Sequence, residues 1–423
     1  MAIIADFRAQ ATGLTRDQRN AFLAALLGWT MDAFDYFLLV FLVTEIADEF
    51  HASVEKVTFA TTLTLIARPL GAWLFGIWAD KSGRRLPLIV DVILYSVIEL
   101  VSGFSTSLTM LLVLRFLYGI GMGGEWGLGA SLALEKIPAS KRGFFSGLFQ
   151  EGYAFGYLLA AIVYFAVVPF FGWRGVFIVG ALPALLALYV RFKVGESEAW
   201  ERTNERMKAT RTPLRAVLFN KRVFGRFLFL ILLMTAFNFL SHGTQDLYPT
   251  FIKKGLGHSP DFSVVIAVIY NIGAIIGGMI VGALSNMYGR RRSIIVAAVF
   301  GLIVLPLFAF SKTTALLAIS AFLMQFFVQG AWGVIPAHLT ELSPDSIRAF
   351  YPGVTYQLGN LLAALNLPLQ QHLADEHGYG YAFLVVMAPV FVAVIVLTAL
   401  GGEARGVAFG GSTGDVEKNP ASP

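Results

Sequence analysis

The sequence predicts an all-α membrane protein, with twelve transmembrane helices in two pseudo-symmetric six-helix halves and both termini in the cytoplasm. Three observations support this prediction. Of the 423 residues, 57% are hydrophobic and only 14% are charged, whereas a soluble domain carries about 25% charged residues. Apolar runs of about 20 residues, the length that crosses a hydrocarbon core, recur from Phe22 to Leu400. One loop pattern also occurs twice, once in each half of the chain.

The apolar runs are predicted to be helices, because the bilayer offers backbone groups no hydrogen-bond partner and the runs are too long for barrel strands. The predicted spans are 22–44, 57–79, 86–105, 108–134, 143–168, 173–194, 227–251, 262–284, 293–311, 314–340, 350–372 and 378–401. The loops opposite the termini carry few basic residues, namely Lys56, Arg174, Lys253, Lys254 and Lys312. By the positive-inside rule the side of the termini is cytoplasmic. The net charge of +5 therefore reports topology and does not indicate a nucleic-acid partner.

The repeated pattern is Gly76-Ile-Trp-Ala-Asp80-Lys-Ser-Gly83-Arg84-Arg85, which recurs 206 positions later (282 minus 76) as Gly282-Ala-Leu-Ser-Asn286-Met-Tyr-Gly289-Arg290-Arg291. At the same offset, Trp126, Glu135 and Arg142 recur as Trp332, Glu341 and Arg348. Separate matches at one offset predict two six-helix halves. These are 1–194 and 223–401, joined by a charged cytoplasmic linker, 195–222, and followed by a disordered cytoplasmic tail, 402–423.

This loop resembles the hallmark of the major facilitator superfamily, whose second and third helices are joined in this way. The first copy matches at every position, whereas Asn286 replaces the Asp in the second copy, so a charge latch there should be weaker. The resemblance implies two parallel halves around a site near the membrane midplane.

Charges at these helix ends can bridge the halves in one state and separate in another. The alternative is a loop that only serves the positive-inside rule. The candidate gating residues are Gly76, Asp80, Gly83, Arg84, Arg85, Arg115, Glu135, Arg142, Gly289, Arg290, Glu341 and Arg348.

Ionisable side chains inside the spans should face protein, a partner or water, because a charged acid or Arg at a helix centre costs at least ~2.5 kcal/mol. They are Asp32, Asp35, Arg68, Asp91, Glu99, Arg115, Glu125, Glu151, His242, Asp246 and His338. The seventh span carries the densest polar stripe, formed by Asn238, Ser241, His242, Gln245 and Asp246 on one side of a helix. His242 and Asp246 are four residues apart and can touch. The stripe indicates a hydrated cavity with a proton-handling pair, and the alternative is a contact between helices.

The string Asn-x-x-Ser-His-x-Thr-Gln-Asp-x-x-x-Thr, from Asn238 to Thr250, resembles the signature of lactate/pyruvate:proton permeases in the sialate:proton symporter family. The segments 28–35 and 123–127 also resemble that family. The resemblance implies substrate binding by Arg68, Asn238, Gln245, Gln357 and Asn360. It implies proton coupling by His242, Asp246, Asp35 and Glu125.

Two arginines are candidates for a functional role for further reasons. A carboxylate in a low-dielectric cavity needs a cation, and Arg68 would offer it two parallel hydrogen bonds. The alternative is that Arg68 is a structural partner of a buried acid such as Asp32. Arg115 begins an Arg-x-x-x-Gly pattern that resembles proton-coupled members of the superfamily, and both a coupling role and a structural role stay open.

The sequence therefore predicts a secondary transporter that carries lactate or pyruvate with a proton by alternating access. Sialate or another organic acid is the alternative substrate, and sodium is the alternative ion. A membrane sensor or an embedded enzyme is the alternative class. There is no His-x-x-x-His, Gly-x-Ser-x-Gly or phosphate-loop motif and no cysteine, so we expect no catalytic residue, metal or cofactor. The expected setting is a functional monomer in the lipid bilayer of a bacterial inner membrane, with the carboxylate and protons as partners.

Overall fold

The computed structural model describes residues 2–210 and 214–410, and within them it contains helices and no β-strand. The helical fold that the sequence predicts is confirmed for these residues. The helices up to the second half are α1 (Ala2–Ala11), α2 (Arg16–Phe41), α3 (Val43–Glu49), α4 (Val54–Ser82), α5 (Arg85–Ser102), α6 (Leu108–Lys136), α7 (Arg142–Gln150), α8 (Gly152–Val179), α9 (Ala184–Lys193), α10 (Glu198–Thr210) and α11 (Leu214–Leu218). They are followed by α12 (Lys221–Gln245), α13 (Tyr248–Thr250), a π-helix (Phe251–Gly255), α14 (Pro260–Tyr288), α15 (Arg290–Phe310), α16 (Thr314–Leu342), a 3₁₀ turn (Asp345–Ile347), α17 (Phe350–Ala363), α18 (Asn366–His377) and α19 (Tyr379–Leu400).

Nine helical stretches in the described part of the chain are long and apolar enough to cross a membrane. Three predicted spans do not appear separately among them: 86–105, 173–194 and 350–372. The first corresponds to α5, an 18-residue helix that contains Asp91 and Glu99. The second continues from the span before it, within the stretch Arg142–Leu186. The third is divided between α17 and α18. Twelve spans therefore stay a prediction.

The same glycine ends a helix in each half. Gly83 follows α4 with φ +100° and Gly289 follows α14 with φ +99°, a region that residues with a Cβ atom rarely adopt. Each glycine still donates its N–H to the preceding helix, Gly83 to Ala79 O and Gly289 to Ser285 O. The turn then directs the chain at once into α5 or α15, so the basic residues of both loops lie at the same end of the bundle.

Close helix crossings are also repeated in the two halves. A Cβ atom at Gly71 of α4 would collide with the carbonyl oxygen of Ile120 on α6, and a Cβ atom at Gly277 of α14 would collide with that of Phe326 on α16. Small residues of this kind let helix backbones approach closely in membrane proteins. Both pairs differ by 206 positions (277 minus 71, 326 minus 120), so the same close approach occurs at equivalent positions of the predicted repeat.

The two halves meet at one end of the bundle, which we call the charged end because it carries Asp80, Arg84, Glu135, Glu341 and Arg348. There α7 packs against α14, and α4 packs against α17. Ser146 of α7 donates its hydroxyl to Gly333 O at 2.7 Å, which joins the halves directly. The structure therefore represents a conformation that is closed at the charged end.

Segments from both ends of the described chain also lie at the charged end. Gln10 of α1 accepts a hydrogen bond from Asn286 Nδ2 at 2.7 Å, and Val407 O accepts one from Arg142 Nη1 at 2.6 Å. Of the predicted disordered tail, residues 402–410 are packed against the bundle, and residues 411–423 lie outside the described residues. Which face of a membrane the charged end occupies stays a prediction.

Candidate functional site

One face of α12 carries a histidine and a carboxylate in contact. His242 Nδ1 lies 3.1 Å from Asp246 Oδ2, one helical turn further along. Both side chains remain partly open to solvent, with 30% and 35% of their surfaces exposed. The contact expected from their spacing is present, and it lies where water can reach it.

His242 also joins α12 to α17. Its Nε2 lies 3.0 Å from Asn360 Oδ1. Both ring nitrogens therefore face oxygen atoms, an arrangement that suits the imidazolium form, in which both nitrogens donate hydrogen bonds. Gain or loss of a proton at His242 would change a contact between two helices of the second half.

Two glutamines of α16 complete this polar face, and the sequence analysis missed both. Gln325 accepts a hydrogen bond from Gln245 Nε2 at 2.9 Å. Gln329 donates from Nε2 to Ser241 Oγ at 3.0 Å. The signal that could have found them is a pair of amides four residues apart in an otherwise apolar span, because that spacing puts both on one face of a helix.

The other two amides predicted to bind substrate are buried. Asn238 donates from Nδ2 to Met234 O of its own helix at 2.8 Å. Gln357 is 1% exposed, and neither its amide nitrogen nor its oxygen has a hydrogen-bond partner among the described residues. Gln357 thus retains its full hydrogen-bonding capacity, whereas Asn238 uses part of its own within α12.

Arg68 of α4 is paired with Asp32 of α2. The Nη2 and Oδ2 atoms are 2.8 Å apart, and both side chains are buried. In this conformation Arg68 therefore has the acidic partner that the structural alternative requires. This pair joins α4 to α2 within the first half.

The buried acids of the first half outnumber its buried cations. Glu125 of α6 faces Asp91 of α5, and Asp35 of α2 lies near Glu99 and Arg115. All five are fully or almost fully buried. Because unpaired carboxylates are costly in a low-dielectric interior, this cluster can hold protons, which suits the coupling role predicted for Asp35 and Glu125.

An aromatic cluster beside Arg68 connects the two halves. The ring of Tyr356 lies 4.7 Å from that of Trp126 and 5.8 Å from that of Trp332. The two tryptophans occupy equivalent positions in the repeat, 206 residues apart (332 minus 126). One tyrosine therefore contacts both halves, and the sequence analysis had no signal for it because it occurs in only one half.

At the charged end, Asp80 of α4 binds the N-terminus of α17. Its Oδ1 accepts from the N–H of Ala349 and its Oδ2 from the N–H of Phe350, both at 3.0 Å. Arg84 Nη1 lies 2.9 Å from the same Oδ1. Since a helix N-terminus favours negative charge, the carboxylate fastens the first half to the second.

Asn286 occupies the equivalent position in the second half and binds the N-terminus of α7. Its Oδ1 accepts from the N–H of Gly143 at 3.0 Å, and its Nδ2 donates to Ser140 O at 2.9 Å. One neutral bond to a helix N-terminus therefore replaces the two charge-assisted bonds of Asp80. This agrees with the weaker latch expected there.

Two equivalent arginines cross between the halves. Arg142 Nη1 lies 3.4 Å from Glu341 Oε1, and Arg348 Nη1 lies 3.8 Å from Glu135 Oε1. Both guanidinium groups lie over the ring of Phe409, at 3.6 and 3.9 Å from its centroid. The sequence analysis missed Phe409 because it treated the whole tail as disordered.

The remaining charged residues that were predicted to gate also make polar contacts at this end. Arg84 Nη2 lies 3.0 Å from Glu135 Oε1. Arg290 makes two contacts of 2.9 Å with the carboxylate of Glu341. The Arg85 N–H donates to Glu196 Oε2 at 3.1 Å.

Two predicted gating residues act differently from these pairs. Gly76 gives α17 room to approach, because a Cβ atom there would lie 2.6 Å from Phe350 Cα. Arg115 is not brought to the charged end. It lies 2.7 Å from Glu99 Oε2 inside the first half and 4.3 Å from the centroid of the Tyr118 ring. Its surroundings fit the structural alternative, and coupling stays a prediction.

Comparisons with known proteins agree with this architecture. The model of the Major Facilitator Superfamily matches residues 24–266 and 247–415. The chain is similar in fold to the proton:xylose symporter XylE, with a TM-score of 0.75 and 19% identity, over 95% of this chain and 98% of that one.

Two curated proteins are similar in sequence. The carboxylic acid transporter protein homolog of Saccharomyces cerevisiae is 32% identical over 386 residues, which are 86% of this chain and 62% of the yeast protein. This chain therefore spans less than two thirds of that relative. The sialic acid transporter NanX of Escherichia coli is 27% identical over 90% of this chain and 93% of its own length.

Proposed function

We propose that this chain, which belongs to the Major Facilitator Superfamily, is a secondary transporter that carries a small organic acid together with a proton. The observations that carry this proposal are the partly exposed contact of His242, Asp246 and Asn360 in the second half and the buried Arg68 in the first half. A cation for a carboxylate and a titratable pair for a proton are thus both present, in two halves that are in contact at the charged end. This is the arrangement that alternating access requires.

Coupling follows from the charges at this site. An organic anion that binds near Asp246 favours the protonated form of that acid, and the protonated acid in turn favours binding of the anion. By linkage, each ligand then increases the affinity for the other by the same factor. Asp246 with His242 is therefore the proposed site of the carried proton.

Arg68 is the proposed counter-charge for the substrate carboxylate, and its present partner suggests how it would act. A carboxylate from the substrate would compete with Asp32 for the same guanidinium group. Asp32 would then be left buried without its cation, which favours its protonation. Binding of the acid at Arg68 and uptake of a proton in the first half would thereby support each other.

The proposal that the substrate is an organic acid has more support than the choice of one particular acid. The string from Asn238 to Thr250 favours lactate or pyruvate, while the similar proteins are named for carboxylic acids and for sialic acid. The broader alternative, an organic acid:proton symporter, therefore has the better support. Lactate and pyruvate are the first acids to test.

The proposed topology has twelve spans, with α5, the end of α8 together with α9, and the α17–α18 pair completing the nine helical stretches that length and composition identify. The charged end would face the cytoplasm of a bacterial inner membrane, because the basic loops cluster there. The conformation closed at that end is then the one open to the outside. We propose a monomer as the functional unit, since each half supplies part of one site.

The test is uptake of labelled lactate into proteoliposomes, with and without an inward proton gradient. Accumulation should require the gradient and respond little to voltage, because a monocarboxylate anion with one proton carries no net charge. Pyruvate, nicotinate and sialate as competitors would identify the preferred acid. No acid-dependent uptake under any gradient would contradict the proposal, and accumulation driven by voltage alone would contradict the stoichiometry.

Asp246→Asn separates coupling from a structural role. The amide imitates the protonated acid and cannot release a proton. This variant should lose gradient-driven uptake but keep some lactate:lactate exchange. Loss of both activities, together with lower thermal stability, would instead indicate that Asp246 only holds α12 in position.

A further inference from the structure

Glu151 is a buried carboxyl group that the proposed site does not use. It lies between α7 and α8, is 2% exposed, and its Oε1 atom has no hydrogen-bond partner among the described residues. The neighbouring Gln150 is held on both sides, since Trp29 Nε1 donates to its carbonyl and Trp126 Nε1 to its Oε1. The segment that carries Glu151 is thus held in position by these two hydrogen bonds.

The carboxyl group lies at the contact between the two halves. A Cβ atom at Gly278 of α14 would be 2.9 Å from Glu151 Cδ and 3.3 Å from its Cγ. Gly147, one turn earlier on α7, packs against the same residue, because a Cβ there would collide with Gly278 O. Glu151 is therefore covered in part by a helix of the other half, at a contact that belongs to the closed charged end.

No ion pair in the described part of the chain compensates for this burial. The helices packed against α7 are α1, α2, α6, α8, α14 and α16. Their ionisable residues away from the helix ends are Asp6, Asp32, Asp35, Tyr36, Arg115, Tyr118, Glu125, Tyr157, Tyr164, Arg174, Tyr270 and His338. Within the described residues none of them forms a hydrogen bond with Glu151 Oε1. Arg142, on α7 itself, pairs with Glu341.

The equivalent position in the second half is neutral. Adding 206 to 151 gives Gln357 of α17, which is also buried and also without a partner among the described residues. Glutamine has the shape of a protonated glutamic acid. The fold thus accommodates an uncharged side chain of this size at the equivalent place, and only the first half carries one that can ionise.

An unpaired carboxylate in a low-dielectric site is costly, whereas the neutral acid costs far less. While α7 and α14 are in contact, the protonated form of Glu151 is therefore favoured. When they separate, water reaches the carboxyl group and it can ionise. We propose that Glu151 is a second proton-binding site, whose proton is bound when the charged end closes and is released when it opens.

As a step of transport this proposal rests on the proposed function, but the binding of the proton does not depend on any substrate. Because one proton would be exchanged between the two conformations, the ratio of closed to open molecules should change by up to about tenfold per pH unit. Low pH should favour closure.

The chain contains no cysteine, so two labels can be attached cleanly at the charged end. Ser82→Cys on α4 and Arg292→Cys on α15 are exposed positions in opposite halves. Spin-label distances measured without substrate should lengthen as the pH rises. In Glu151→Gln they should stay short at every pH. The matched control Glu55→Gln, an exposed carboxyl of α4, should behave like the parent.

A pH response in Glu151→Gln equal to that of the parent would overturn the proposal, and so would a parent with no pH response. Absence of lactate uptake would count against the proposed function but not against this site. If Glu151→Gln does not fold, Glu151→Asp provides the second test, since it should keep the response at a shifted pH. The infrared band of a protonated carboxyl group should weaken in the parent as the charged end opens, and an unchanged band would also contradict the proposal.

Discussion

The loop after α4 and the loop after α14 close the same end of the molecule with different chemistry. Asp80 binds a helix N-terminus with two backbone bonds and is also paired with Arg84. Asn286 binds the equivalent N-terminus with one neutral bond. The repeat therefore preserves the geometry of the contact while the first half supplies most of its charge.

The ion pairs next to these loops also differ between the halves, in the number of carboxylates that each arginine can bind. Arg84 is shared between Asp80 and Glu135, so each carboxylate has a neighbour that can replace it. Arg290 directs both of its contacts to Glu341, which also receives Arg142. In the first half, Arg84 keeps one carboxylate if the other is removed. In the second half, Arg290 and Arg142 both depend on the carboxylate of Glu341.

The largest effect is expected from removing that single carboxylate. Glu341→Gln leaves Arg290 and Arg142 buried without an anion, and breaking a buried pair costs about 3–5 kcal/mol. Glu135→Gln should cost about 2 kcal/mol less, because Arg84 keeps Asp80. Thermal unfolding of both variants in one detergent measures the difference. Equal losses would mean that the first half is not redundant.

Asp80→Asn gives the first half the residue of the second. It should weaken closure of the charged end by about 2 kcal/mol, because two charge-assisted hydrogen bonds become weaker or are lost. That free energy corresponds to a shift of about 30-fold toward open molecules. Spin labels at Ser82→Cys and Arg292→Cys measure the two populations. An unchanged distance distribution would show that Asp80 does not hold the halves together.

Phe409→Ala tests the ring that Arg142 and Arg348 share across the halves. Loss of two partly desolvated cation–π contacts should weaken closure by about 1–2 kcal/mol. Phe409→Leu is the matched control, since it keeps an apolar cover without a π-system and should lie between the parent and Phe409→Ala. If leucine restores the full closed population, the contact is apolar burial and not a cation–π interaction.

The smallest effect is expected from Asn286→Asp, which gives the second half the charge of the first. A carboxylate at the N-terminus of α7 should gain about 0.3–1 kcal/mol, offset in part by loss of the Nδ2 bonds to Ser140 and Gln10. The same spin-label pair should report a modest rise in the closed population. A fall would mean that those donated bonds outweigh the added charge.

Much of the helical plan could be predicted from residue order. Apolar runs of fixed length indicate helices, because the bilayer leaves the backbone no alternative. The contact of His242 with Asp246 follows from a spacing of four residues in a helix. The loop residues recur at a constant offset, which identified Asp80 and Asn286 as equivalents. These features depend on periodicity or repetition along one segment.

Other residues of the site could not be found in this way. Arg68 had several buried acids as possible partners, and only packing of α4 against α2 selects Asp32. Phe409 looked like part of a tail, yet it lies between Arg142 and Arg348. Gln325 could have been found from the sequence, because it lies four residues before Gln329 in an apolar span, but only ionisable residues of that span were considered.

The sequence by itself thus determined the class of fold, the two halves and the polar face of α12, because each is encoded in the spacing of residues within a single helix or loop. Tertiary structure alone decided which ionisable groups are paired and which are not. Glu151 illustrates the reason. Its burial depends on Gly278, more than a hundred residues away, and on whether two helices of opposite halves are in contact. The free energy of a charge depends on what surrounds it in space, and no local pattern records that.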